Sequence, residues 1–144
     1  MIDIESKVYS AVRAAILAKY PKCYVADAIL NAPPSYPCVY IVEADNTNYR
    51  RTADSSGNEH DAEVLYVIEI YSNKVGGVRN GKVIPGKKAE CKDIAAIADD
   101  TMLELGFNRT MLNQIPNEKD ATIYRMVGRY DAKVSKDGMI FGGK

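Results

Sequence analysis

The sequence lacks an excess of charge of either sign, and it lacks any long hydrophobic run. Lysine and arginine (19) balance aspartate and glutamate (19), whereas a free-standing nucleic-acid-binding domain usually carries a basic excess. No stretch reaches the roughly 18 apolar residues of a membrane-spanning helix. The amino-terminal segment MIDIESKVYS contains acids and no apolar core, which argues against a secretory signal. We therefore expect one domain over residues 1–144, made in the cytoplasm and without contact to a membrane.

Histidine and cysteine are too scarce and too scattered to build a recognisable reactive site. His60 is the one histidine, and Cys23, Cys38 and Cys91 are widely spaced, whereas a zinc site needs three or four ligands at defined spacing. His60 lies among polar residues without a clear nucleophile and base beside it, so we expect a solvated side chain. The cysteines are flanked by apolar residues and are predicted to be small buried hydrophobes in a reducing compartment. No catalytic, cofactor-binding or metal-binding residue is predicted.

Hydrophobic periodicity divides the chain into two helices and five or six strands. Apolar residues at three- and four-residue steps predict a helix over 3–20, with Asp3 as its N-cap, and a second helix over 87–105 ended by Gly106. β-Rich or alternating segments predict strands over 23–31, 37–45, 62–73, 107–115 and 120–135, and residues 136–144 either add a short strand or fray. The order α-β-β-β-α-β-β predicts an α+β fold, with a mainly antiparallel sheet of five to six strands and two helices packed on one face.

Two long loops of opposite charge interrupt this pattern, at about 46–61 and 74–88. Residues 45–63 hold five acids against two cations, whereas residues 74–88 hold five cations and no acid. Opposite charges on one chain suit head-to-tail association of identical subunits, which closes into a ring if the rotation allows. The basic loop lacks the Gly-Lys-Ser/Thr ending of a phosphate-binding loop. It is also interpretable as a solvated segment that protects a sheet edge, or as a contact with nucleic acid.

The strand DATIYRMVGRYDAKVS, residues 120–135, has one apolar face and one face that carries Arg125 and Arg129 beside Ile123 and Val127. Such a mixture is too apolar for a fully solvated face. The two arginines either pair with cross-strand acids such as Glu63 or Glu69, or lie in an interface, where arginine is enriched. We favour pairing within the sheet.

Several phrases in this order resemble the tail terminator family of long-tailed bacteriophages and phage-tail-like bacteriocins, also described as minor capsid, tail-completion or neck proteins. The phrases are AAILAKYP, PPSYPCVYIVEADN, LYVIEIYSN, GKKAECKDIAAIADDTMLELGFNR and NEKDATIYRMVGRYDAKV. The resemblance implies a mixed α/β subunit of a hexameric ring that caps the tail tube, ends its polymerisation and joins the tail to the head. It implies no enzymatic activity and no cofactor.

The resemblance also implies partners: further copies of the chain, the tail tube protein and a head-connector, collar or sheath protein, with DNA only passing through the lumen. Residues that we expect at subunit or tube contacts are Arg50, Arg51, Lys74, Arg79, Lys82, Lys87, Lys88, Arg125 and Arg129. Alternatives are a head-closure or connector adaptor of the same neck, a DNA-binding module that uses loop 74–88, or a small enzyme built around His60.

Overall fold

The computed structural model describes residues 1–48 and 61–142. The first helix begins at Glu5, where the Asp3 side chain accepts a hydrogen bond from the Glu5 amide (3.0 Å), and Gly106 in a left-handed conformation follows the second helix. In chain order the elements are α1 (Glu5–Lys19), β1 (Tyr24–Ala26), β2 (Cys38–Asn48), β3 (Asp61–Ser72), β4 (Gly77–Arg79), β5 (Lys82–Ile84), α2 (Lys87–Leu105), β6 (Asn108–Gln114), β7 (Tyr124–Ser135) and β8 (Ile140–Phe141).

One sheet organises the molecule, in the order β1-β2-β3-β7-β6, with β8 paired to the end of β7. All its pairs are antiparallel except β1–β2, which is parallel. The strands β4 and β5 form a separate two-stranded hairpin. The three central strands are the longest, which places β3 between two extended partners and makes it the centre of the sheet.

Both helices pack on one face of the sheet and enclose the core. Val8, Val12 and Ile16 of α1 are fully buried, as are Ile94 and Met102 of α2. The facing strand residues alternate along β2, β3 and β7, as the two-residue period of a strand requires: Val39, Ile41, Val64, Tyr66, Ile68, Ile70, Met126, Tyr130, Ala132 and Val134. The predicted α+β architecture is therefore confirmed.

Two buried acids fasten α2 to the sheet. Asp99 accepts hydrogen bonds from the Tyr130 hydroxyl (2.8 Å) and from Arg109 Nη1 (3.0 Å), and Glu90 accepts one from the Ser72 hydroxyl (2.7 Å). A buried carboxylate is costly unless donors surround it, so these contacts fix the position of the helix over the strands.

Some predicted boundaries were wrong. The strand expected over 23–31 is only Tyr24–Ala26, because β2 offers it three paired positions and residues 27–37 then leave the sheet edge. The loop expected from residue 46 starts later, since β2 pairs with β3 as far as Asn48. Lys87 and Lys88, also counted with the basic loop, begin α2, in agreement with the helix predicted over 87–105. In residues 1–48 and 61–142, no helix combines the length and the apolar character needed to span a membrane.

Candidate functional site

Four polar or aromatic side chains lie together on the outer face of the sheet, which is the face opposite the helices. Tyr40 of β2 pairs in register with Glu69 of β3, and Tyr71 of β3 pairs with Arg125 of β7. These positions alternate with the core residues of the same strands, so their side chains point away from the helices. The three longest strands thus bring a carboxylate, a guanidinium and two phenols to one place, which we call the outer-face cluster.

The Glu69 carboxylate is the centre of the outer-face cluster. Its Oε1 atom accepts hydrogen bonds from Arg125 Nη2 (2.6 Å), Arg125 Nε (3.1 Å) and the Tyr71 hydroxyl (2.7 Å). Burial and the neighbouring Glu69 carboxylate raise the pKa of Tyr71 to about 12, so this phenol remains a donor at neutral pH. The second oxygen of the Glu69 carboxylate, Oε2, accepts no hydrogen bond from residues 1–48 and 61–142.

The Tyr40 hydroxyl is buried without a hydrogen-bond partner among the residues that the structure describes. The Tyr40 side chain is only 1% exposed and stacks edge-to-face on Tyr71, with ring centroids 5.8 Å apart. Cys38 and the backbone of Leu30 are its polar neighbours, but neither forms a hydrogen bond of ordinary geometry with it. A buried hydroxyl without a partner costs free energy, because it has lost its water and gained nothing in exchange.

Two irregular segments rise on either side of the outer-face cluster and form an open cleft of about 630 Å³. Residues 29–36 form one wall, where Ile29 and Leu30 are 53% and 45% exposed. Residues 115–123 form the other wall, with Glu118, Lys119 and Asp120 at its rim. Hydrogen bonds from Thr122 lower the pKa of Asp120, which keeps this carboxylate charged. The outer-face cleft therefore combines exposed apolar walls with a polar floor and a rim that holds two acids and one lysine.

The β4–β5 hairpin projects near the same end of the sheet, and we call it the hairpin arm. Its two-residue turn, Asn80-Gly81, has positive φ at both positions (52° and 76°), as a type I′ turn requires. Val78 pairs with Val83, and these side chains are 70% and 80% exposed. The arm adds no residue to the outer-face cleft of its own chain.

The structure answers the question of what the strand arginines face. Arg125 pairs with Glu69, as favoured from the sequence, whereas Arg129 is exposed and its guanidinium contacts no acid in the described ranges. Among the basic-loop residues, Lys74 approaches Glu90 (3.9 Å) and Lys87 Nζ donates to the carbonyl of Thr122 (3.0 Å). Arg79 and Lys82 flank the hairpin turn, and Lys88 is exposed. Arg50, Arg51 and His60 lie outside the described residues.

The outer-face cleft itself was not expected from the sequence. The sequence predicts a strand over 23–31, whereas residues 29–36 form one wall of the cleft. One sequence pattern does indicate a site on this face. Tyr40, Glu69 and Tyr71 occupy the positions of β2 and β3 that alternate with the core positions, so they lie on the other face of the sheet. Tyrosines at alternate positions on the second face of central strands indicate that other segments of the protein pack against this face.

The cysteines behave as small buried hydrophobes, as predicted. All three are free and buried, and burial raises the pKa of both Cys23 and Cys91 to about 12. Within residues 1–48 and 61–142, no three histidine, cysteine, aspartate or glutamate side chains are grouped closely enough to hold a metal ion.

No protein-family profile matches the sequence, and no curated protein matches it. Among solved structures, the chain is similar to a chain in the virion of a native gene transfer agent particle, with a TM-score of 0.58. The two chains share a fold. The superposition covers 88% of this chain and 93% of the virion chain, at 19% sequence identity.

Proposed function

We propose that the protein is a structural subunit of a phage-like particle, without enzymatic activity and without a cofactor. In this proposal, six copies form a ring that caps the tail tube, ends tube polymerisation and joins the tail to a head connector, collar or sheath. After synthesis in the host cytoplasm the protein belongs to the neck of the particle. DNA passes through the lumen of the ring.

The observation that carries the proposal is the fold shared with a virion chain over nearly the full length of both molecules. The tail terminator phrases of the sequence, such as IYRMVGRY in β7, support the finer assignment to the neck. The outer-face cleft and the hairpin arm support an assembling subunit, since both expose apolar side chains that a partner could cover.

The mechanism requires only surface recognition. A ring seated on the last ring of tube subunits would bury the surface to which the next tube subunits add, so polymerisation would stop. Six identical contacts act together, so each contact can be weak while the ring is held firmly. Opposite charges on different parts of one chain favour such a heterologous contact between copies.

The test is light scattering after gel filtration, together with negative-stain images of the protein with and without the assembled tail tube of its particle. Six-fold rings, or density that caps tube ends, would support the proposal. A protein that ignores tube ends but binds a portal-side connector ring would be a head-closure adaptor. Failure to bind either structure would leave the shared fold without the proposed role.

A further inference from the structure

The hairpin arm carries two exposed cross-strand pairs of side chains, one apolar and one cationic. Val78 and Val83 form one exposed cross-strand pair. Arg79 and Lys82 form the other, and two like charges directly opposite each other are destabilising in an antiparallel pair. No ion pair joins either cation to an acid in residues 1–48 and 61–142. The arm therefore bears an apolar patch beside an uncompensated positive charge.

The hairpin arm is nevertheless a defined structure at its base. The backbones of Gly76 and Gly86 pack against each other so closely that a Cβ atom on Gly76 would lie 2.6 Å from the Gly86 nitrogen. Lys87, just beyond this base, is held by carbonyls of the loop before β7. The arm thus leaves the body at a fixed place and presents its valines and cations to the outside.

The outer-face cleft has the complementary properties. Its walls expose Ile29 and Leu30, and its rim carries Glu118 and Asp120 beside Lys119. Two acids against one lysine leave the rim net negative. The exposed tip of the hairpin arm offers two valines to the apolar walls, and the cations on that tip would meet the rim acids.

We propose that the hairpin arm of one copy occupies the outer-face cleft of a second copy of this chain. The contact rests on the ring proposed above, for which it would supply the link between neighbours. Val78 and Val83 would pack on the apolar walls, and Arg79 and Lys82 would reach the rim acids.

Mixed crosslinking tests this contact. Val83→Cys protein is mixed with Lys119→Cys protein and treated with a short bismaleimide, so that only a contact between two copies gives a joined dimer. The native thiols are buried, and the unsubstituted chain treated in the same way measures any crosslink that forms through them. The control mixes Val83→Cys with Asp100→Cys, an exposed site on α2. We expect about tenfold more dimer from the first mixture; equal yields would overturn the proposal.

Two further variants keep the test independent of folding. Val78→Asp should reduce the crosslink about tenfold or more, because it places a charge on the apolar walls, whereas Met139→Asp, at a side chain 68% exposed elsewhere, should leave it unchanged. A Val78→Asp protein that crosslinks normally would overturn the contact.

Light scattering on the same samples measures their oligomeric state and so distinguishes this contact from the proposed ring. The samples are measured at high concentration and again after addition of tail tubes. Rings of six subunits without the specific crosslink would overturn the arm-in-cleft contact and leave the ring. The specific crosslink in dimers that never form rings or bind tubes would support the contact and overturn the ring. An arm that binds duplex DNA with steep salt dependence, with no specific crosslink, would identify nucleic acid as its partner instead.

Discussion

The two faces of the central sheet differ in how completely their buried polar groups are hydrogen-bonded. On the helix face, Asp99 and Glu90 are buried and each accepts hydrogen bonds from neighbouring side chains. On the outer face, Glu69 has one oxygen surrounded by three donors, and the Tyr40 hydroxyl has no partner in the part of the chain that the structure describes. Buried polar groups in native proteins are nearly always satisfied. The acids of the helix face meet this rule within the described residues, whereas the outer face leaves the Tyr40 hydroxyl without a hydrogen-bond partner there.

The largest expected difference between the two faces concerns core packing at adjacent residues of β3. Ile68 is 1% exposed beneath the helices, whereas Val67, on the outer face, is half-buried. Ile68→Ala should lower the free energy of unfolding by about 3 kcal/mol, because it leaves a cavity. Val67→Ala should cost about 1 kcal/mol, since less apolar area is lost.

Urea unfolding of both variants measures these costs, provided that the slope with denaturant is unchanged. Equal losses would show that the outer face is packed as tightly as the helix face in the isolated chain.

The next effect concerns the Glu69–Arg125 pair, whose side chains are 8% and 25% exposed. Glu69→Leu should destabilise by about 1–3 kcal/mol, because it leaves the Arg125 and Tyr71 donors without their acceptor. Arg125→Met should also destabilise, but the double variant should be more stable than the sum of the two losses predicts, by about 1 kcal/mol or more.

Unfolding free energies of the wild-type chain and the three variants complete this double-mutant cycle. Additivity within about 0.5 kcal/mol would mean that the pair is not coupled, and the outer-face cluster would then be only a surface feature.

The helix face was predictable and the outer face was not, for a physical reason. The stripe Val8, Val12 and Ile16 and the left-handed Gly106 are local signals, and the core positions of β3 follow from simple alternation. The wall formed by residues 29–36 depends on how far a short edge strand stays paired, which is decided by tertiary contacts. Pairing of Arg125 could be anticipated from its neighbours, but the choice of Glu69 over Glu63 depended on the register of β3 against β7.

Alkaline pH should expose the contribution of the buried phenols. The folded chain raises the pKa of Tyr71 from 10.0 to about 12, through burial and then through the Glu69 carboxylate. A raised pKa means that the protonated form favours folding, so this contribution is complete below pH 10 and is lost as pH rises from about 10 to 12. Burial also raises the pKa of Tyr66 and Tyr130 on the helix face, so the whole domain should lose stability in this range.

Urea unfolding at pH 8, about pH 10 and about pH 11 checks the alkaline loss, and Tyr71→Phe should make it less steep by removing one titrating phenol. An unchanged slope in the Tyr71→Phe chain would show that the outer-face cluster does not couple to this phenol.

The smallest expected effect is a difference in thiol accessibility. Cys91 lies between α2 and the sheet, where its thiol approaches the carbonyl of Tyr124 (3.4 Å), and its exposure requires the helix to leave the sheet. Cys38 precedes Tyr40 on the outer face, beneath the segment that forms one wall of the cleft. A segment with few buried contacts opens locally more often than a core helix, so iodoacetamide should label Cys38 faster than Cys91 in the native chain.

Mass spectrometry of labelled peptides would give both rates, with unfolded protein as the reference for intrinsic reactivity. Rings, if they form through the outer-face cleft, should slow the labelling of Cys38 and leave the slower rate of Cys91 nearly unchanged. Equal rates at the two cysteines in the free chain would mean that the outer face opens only with global unfolding. In that case the cleft walls would be as stable as the core, and the difference between the two faces would be confined to their hydrogen bonds.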